Sequence, residues 1–341
     1  MSLLQLLNYK EKALWLLIIF FLFIVALLWP ANPFNLSSVE VEVPRGSSVQ
    51  NIQALLQEKG ILPRFSCFRL IIKLFGWEKE LKAGHYSFSP SDSLPKIVTK
   101  LLEGETVPLP QIKVTFPEGT SIYKMGIILK ENGFEHWQDF QELVNEGVTE
   151  NLREKHWKIF KYLPSESLEG YLFPDTYLVF KDASARDLAE TMIKRFEEVV
   201  LPFWEKAKAD TKMGLHEILT LASIIEKEAQ IPEERAKISS VFHNRLRANM
   251  PLAADPTIKY ALERPTKIVY LEQLSVKSPY NTYKRKGLPP GPICNPGLDS
   301  IRAAVYPEKT DFYFFVAKPD GSHIFSKTWE EHQKAKKKVG R

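Results

Sequence analysis

Cysteine is nearly absent from this 341-residue chain: Cys67 and Cys294 are the only two. No disulfide framework can therefore hold the fold, and the two thiols either pair in an oxidising compartment or stay separate. The seven histidines are scattered singly. His216-Glu217 opens like a zincin motif, but Thr220 stands where a second histidine would have to face the metal, so a two-histidine metal face is missing. There is no Gly-x-Ser-x-Gly elbow, no phosphate-cradling Walker loop and no dinucleotide fingerprint. These absences set aside serine acyl transfer, nucleotide chemistry and zinc hydrolysis, and no cofactor is expected. Strong charge of one sign is also lacking. The net +5 owes much to Lys334, Lys336, Lys337, Lys338 and Arg341, a solvated end rather than a nucleic-acid surface.

Long apolar runs are scarce too, with one exception. Ala13–Trp29 (ALWLLIIFFLFIVALLW) is uncharged, follows Lys10 and Lys12, and is closed by Pro30. Its 17 residues are the short end of a bilayer crossing, and Leu28, Trp29 and Pro30 occupy the place where a signal peptidase needs small residues. The run predicts an uncleaved transmembrane helix over 13–29. The positive-inside rule then leaves residues 1–12 as a cytoplasmic tail and the rest outside, a single-pass membrane protein facing the cell wall and the lipid surface. The remainder is ordinary for a globular protein, 44% hydrophobic and 26% charged over the whole chain, with length enough for two domains.

Two stretches offset by 73 positions look alike, VPRGSSVQNIQALLQEKGI from Val43 to Ile61 and FPEGTSIYKMGIILKENGF from Phe116 to Phe134. Each reads as a strand ending at a Pro-x-Gly turn, a hydroxyl-capped helix and a terminating glycine. Ser47 to Gln50 fits a capping box. The first copy, with the segment that follows it, resembles the LysM module, a small glycan-binding fold, over residues 38–106. Val107–Gln111 (VPLPQ) reads as a linker. Downstream, 111–333 is mostly helical, with a β-hairpin in DFYFFVAKPDGSHIFS turning at Pro319-Asp320-Gly321, followed by a basic tail over 334–341. The fold class expected is α+β: a transmembrane helix, a small α/β module, and a mostly helical second domain.

The residues with chemistry to offer are carboxylates, amides and tyrosines. In GLHEILTLASIIEKE, stepping about 100° per residue places Ile218, Leu221, Ala222, Ile224, Ile225 and Ala229 on one arc, with Glu228 inside it, Glu226 on its flank, and Thr220 and Lys227 on the opposite side. A carboxyl on a core-facing stripe is hard to ionise, so its pKa should rise into the range of a general acid. The alternative is a helix-end Glu salt-bridged to Arg235 or Arg245. Asn244, Asp255, Asn281, Tyr283 and Asn295 lie in aromatic and proline-rich surroundings. Amides suit sugar hydroxyls and ring faces stack on pyranose surfaces, which makes these residues, with Glu169 in EGYLFPDTY, candidates for substrate binding. Asn295-Pro296-Gly297 reads equally well as a turn or helix cap, and EGYLFPDTY as a tight turn.

Taken together, LASIIEKEA, VFHNRL, DPTIKYAL, SPYNTY, GLPPGPICNPG and EGYLFPDTY resemble, in order and spacing, the endolytic murein transglycosylases, the YceG-like family. The resemblance implies a bitopic lytic transglycosylase of the inner membrane that cleaves within nascent peptidoglycan strands, between N-acetylmuramic acid and N-acetylglucosamine, leaving 1,6-anhydro ends. It places the catalytic glutamate on the second Glu of E-K-E, Glu228. It further implies peptidoglycan strands as substrate and cell-wall synthases as possible partners. Two rivals stay open: a hydrolytic muramidase, and a tethered glycan-binding scaffold that performs no chemistry.

Overall fold

The computed structural model describes residues 14, 15, 17, 28–107, 111–262 and 270–340, and they fall into two compact units, 1–110 and 111–341. In the first unit β1 (Val39–Val43) pairs antiparallel with β2 (Gly84–Phe88), Val41 opposite Tyr86. Alternation does the sorting: Val41, Val43, Tyr86 and Phe88 point into the core while Glu40 and Glu42 point away. Between the strands lie α1 (Val49–Glu58) and α2 (Phe68–Phe75), and α3 (Leu94–Glu103) follows β2. Their inward residues Ile52, Leu56, Phe68, Ile72, Ile97 and Leu101 complete the core. Each such side chain contributes about 1.5–3 kcal/mol of burial.

The cap of α1 is Ser48, whose hydroxyl accepts from the Asn51 amide, rather than Ser47. Position 51 is an amide, too short to reach back as a box glutamate does. In the second unit the homologous cap is Ser121, accepting from the Lys124 amide, so the 73-residue offset holds to the residue. There β3 (Gln111–Thr115) pairs antiparallel with β4 (Thr176–Phe180), Val114 opposite Tyr177. Helices α4 (Ile122–Glu131), α5 (Trp137–Glu146), α6 (Glu150–Lys155) and α7 (Trp157–Phe160) lie between these strands. Then come the long α8 (Ala185–Ala207), α9 (Leu215–Glu228), α10 (Arg235–Arg247), α11 (Asp255–Ala261) and α12 (Leu298–Val305). The expected hairpin forms as β5 (Phe314–Ala317) and β6 (His323–Ser326). The lysines of the expected tail lie on α13 (Trp329–Lys338), capped by Thr328.

Helix α9 departs from the one-sided arc. Thr220 and Ser223, like Ile218, Leu221 and Ile225, are almost wholly buried, so the helix is enclosed on nearly all sides by the second unit's core. Thr220 escapes the penalty of buried polarity by donating to the His216 carbonyl, 2.7 Å. Ser223 does so by donating to the Thr220 carbonyl, 2.7 Å, and accepting from the Ile293 amide, 3.0 Å.

The expected transmembrane helix is corrected. Among the described residues no helix is long and apolar enough to cross a membrane. The longest, α8, is long enough but carries Arg186, Asp187, Glu190, Lys194 and Arg195 in its first half alone, each costly in hydrocarbon. Most of the apolar run over 13–29 lies outside the described residues. The single-pass inner-membrane placement rested on that helix and falls with it. The body itself is mixed α and β and mostly helical.

Candidate active site

Glu228 is the last residue of α9, half-buried where the enclosed helix reaches the surface. Burial pushes its carboxyl up to about 7, helped by the negative charge of Asp255 and opposed by Lys259 and Arg245. Helix α9 is fixed at its other end, where the Glu217 carboxylate accepts from the Gly214 amide, 2.8 Å. His216 adds a tie: its Nε2–H donates to the Pro290 carbonyl, 2.9 Å, and its Nδ1 meets the Tyr171 hydroxyl at 2.9 Å. This histidine fastens the proline-rich loop to the helix.

Asp255 opens α11 and is exposed; its Oδ1 accepts a short hydrogen bond from the Tyr283 hydroxyl. Burial first, and then Asp255 and Glu228, push the Tyr283 phenol up, so it stays a proton donor. The approach to Asp255 is stitched to the neighbour of Tyr283. The Ala253 amide donates to the Thr282 carbonyl, 3.0 Å, the Ala254 amide to Thr282 Oγ1, 3.1 Å, and Thr257 Oγ1 meets Thr282 Oγ1 at 2.8 Å. Ala253 sits at φ +48, a left-handed conformation that costs a non-glycine residue about 1–2 kcal/mol. Arg245 braces the same loop, donating to the carbonyls of Leu252, 2.6 Å, and Tyr313, 2.7 Å.

Two residues before Glu228, Glu226 has a different environment. Arg235 lies 3.6 Å from its Oε1 and the Gly297 amide donates to its Oε2, 3.1 Å. The helix-end salt bridge weighed from the sequence thus describes Glu226.

The structure brings Glu228, Asp255 and Tyr283 together and leaves the four other candidates as ties within the chain. Asn244 is buried and donates to the carbonyls of Thr310 and Phe312. Asn281, also buried, donates to Leu274 and Val276 carbonyls and accepts from the Tyr283 and Lys284 amides, which sets the Tyr283 turn. Asn295 and Glu169 form a buried knot. Asn295 Oδ1 accepts from the Gly170 and Leu172 amides, and its Nδ2 donates to Glu169 Oε1, 2.9 Å, and the Thr120 carbonyl, 3.0 Å. Both Glu169 oxygens accept from the Ile122 amide at the start of α4, 3.2 and 3.1 Å. Burial pushes Glu169 up to about 8, against the pull of the Ile122 amide, the Tyr260 hydroxyl and Lys227. Gly170 is required beside it: at φ +87, a Cβ there would lie 2.4 Å from Pro292 Cγ. The Asn295-Pro296-Gly297 segment ends in the N-cap of α12.

A family model, that of the YceG-like family, matches residues 41–338. The chain belongs to the YceG-like family. A Bacillus subtilis protein named endolytic murein transglycosylase is 37% identical over 325 residues, 93% of this chain and 89% of its own length. A Streptococcus pneumoniae protein of the same name is 30% identical over 333 residues, 90% of this chain; the chain spans 59% of that relative. Among solved structures, a putative YceG-like protein of Listeria monocytogenes matches with a TM-score of 0.59 and 37% identity, covering 87% of this chain and 99% of that one.

In this YceG-like chain, sequence reading passed over Lys259, Thr282 and Tyr260. Lys259 had a signal, since it stands four residues after Asp255 on one helical face. Thr282 and Tyr260 had none, because their partners come from distant segments.

Proposed function

We propose that this chain is an endolytic murein transglycosylase in which Glu228 serves as acid and then as base. The observation that carries the reading is the position of Glu228: it ends an enclosed core helix, half-buried, where burial pushes its carboxyl up to about 7. At neutral pH a large share of Glu228 is protonated and can deliver its proton to the glycosidic oxygen between muramoyl and glucosaminyl residues as the C1–O bond breaks. The resulting carboxylate takes the proton of the muramoyl C6 hydroxyl, whose oxygen closes onto C1 as the 1,6-anhydro ring. No water is consumed, and Glu228 ends the cycle protonated.

In this scheme Asp255 keeps Glu228 protonated by like-charge repulsion and supports the positive charge that develops at C1. Tyr283 holds Asp255 in place, and Asn281 and Arg245 position the loops that carry both. The buried knot of Glu169 and Asn295 does the same for the segments around α9. The LysM-like first unit would hold the glycan strand, and a synthase that supplies new strands is the protein partner this reading calls for.

One observation favours a second reading. A carboxylate, Asp255, acts electrostatically on Glu228, as in two-carboxylate glycosidases that hydrolyse. Mass spectrometry of murein digests decides between them. Anhydro ends, one water lighter than reducing ends, are the expected product, whereas reducing muramoyl ends alone would make the enzyme a muramidase. Binding without any cleavage would return the chain to a scaffold.

A further inference from the structure

The turn that delivers Tyr283 has a second side. Val276, Lys277, Ser278, Pro279, Lys284 and Arg285 line a pocket of about 300 Å³. Val276–Lys286 carries four cations, Lys277, Lys284, Arg285 and Lys286, and no carboxylate. All four are exposed, and among the described residues none of them makes an ion pair. The turn is not a loose basic loop. Buried Asn281 ties it at both ends, and Lys284 Nζ is drawn over it by the Ser275 carbonyl, 2.8 Å. Tyr283, one residue before Lys284, faces Asp255. The pocket is thus tied through Asn281 and Tyr283 to Asp255, and among the described residues no carboxylate pairs with its cations.

We propose that this pocket is a subsite for the free carboxylates of the stem peptide borne by a muramoyl residue next to the cleaved bond. The inference rests on the proposed function and names what that site selects: peptide-bearing strands over stripped ones. Where a muramoyl residue bears its peptide, the lactyl carboxyl is taken up in the amide and the sugars are neutral. The negative charge on an uncleaved strand lies in its peptides, which branch sideways from the lactyl ether at C3. A planar guanidinium and mobile ammonium groups are suited to carboxylates, and the pocket is at the small end of the size range of ligand sites, room for a peptide terminus rather than a second sugar strand.

The test uses the full chain with two soluble probes, a disaccharide-tetrapeptide from murein and the same disaccharide freed of its peptide by an amidase and then amidated at the lactyl carboxyl this exposes. Calorimetric affinities should favour the peptide-bearing probe by about tenfold, with the preference fading in high salt. The Lys277→Gln/Arg285→Gln variant should bring the two affinities together, and the single Lys277→Gln variant should fall between. Equal affinities in the wild-type chain would overturn the proposal. So would a preference that survives in the double variant with its melting temperature unchanged, or tighter binding of a glycerol-phosphate polymer than of the disaccharide-tetrapeptide. A retained peptide preference in a chain that yields no anhydro ends would sink the transglycosylase reading and leave the subsite standing.

Discussion

The two copies of the strand–turn–helix, Val43–Ile61 and Phe116–Phe134, share backbone and caps but differ in what the turn touches. Gly46 stands at φ +78 with open space where a side chain would be. Gly119 stands at φ +76, and there a Cβ would meet Glu226 Cγ at 3.2 Å. Its amide donates to the Asn295 carbonyl, 2.9 Å, and its carbonyl accepts from Lys227 Nζ, 3.2 Å. One copy frames a small unit of its own. The other buttresses the end of α9 that carries Glu228. A repeated pattern thus fixes local geometry, while the partners met in space decide whether that geometry bears on chemistry.

The sharpest way to separate the two roles is at the acid itself. Glu228→Gln keeps the shape and removes the transferable proton, so strand cleavage should fall by about 10²-fold or more while glycan binding persists. Glu226→Gln should lose far less, since it keeps an acceptor for the Gly297 amide and has no proton to transfer. Rate against pH should decline as pH rises through about 7, where Glu228 loses its proton. Indispensable Glu226 with dispensable Glu228 would reverse the assignment.

Next in size is the knot that joins the second copy to the rest of its unit. Glu169→Ala leaves Ile122 and Asn295 donors without their acceptor and opens a void, a loss of about 3 kcal/mol measurable by urea unfolding. Glu169→Gln, which retains one acceptor oxygen, should cost less than half of that. Equal stability of all three proteins would show that the knot holds nothing.

The comparison is then tested directly at the two glycines. Gly46→Ala and Gly119→Ala each place a methyl at positive φ and should each cost about 1 kcal/mol. Only Gly119→Ala presses on Glu226, and only it should lower turnover, by about fivefold, modest beside the 10²-fold that a 1 Å misplacement can cause. Equal turnover in the two variants would dissolve the distinction.

Stability against pH tests the two raised carboxyls together. Glu228 and Glu169 both have folded pKa values, about 7 and about 8, above their ordinary 4.5. The folded chain therefore holds protons that the unfolded chain releases. Their contribution is complete below pH 4.5 and is lost as pH rises through 7 to 8. The melting temperature of Glu228→Gln should thus exceed that of wild type at pH 8 and not at pH 4.

Much of this was legible in the sequence where neighbours along the chain decide the outcome. The β5–β6 hairpin, the capped helices after both Pro-x-Gly turns, and Glu228 among apolar residues all follow from local period and turn chemistry. The knot was not legible as a knot. Asn295 and Glu169 stand 126 positions apart, and their amide and carboxyl read as sugar-binding groups until the fold brings them together away from solvent. The enclosure of α9 was hidden for a related reason. Thr220 and Ser223 are polar by type, yet each satisfies its hydroxyl within the helix or against the Ile293 amide, which lets the core close over a face that composition marks as outward. Local pattern likewise assigned the apolar run over 13–29 to a membrane span, which no described helix supports.

The enclosure of α9 also governs how the protein fails. Residues Leu219–Ile225 are almost wholly buried, so their amide hydrogens should exchange with solvent only through opening of the whole second unit. An element of this kind does not fray while its surroundings stay intact. Heat or urea should therefore give no population of folded molecules with a wandering proton donor. The inactivation curve should superimpose on the loss of α9 protection, which makes residual strand cleavage a direct gauge of how many molecules remain folded.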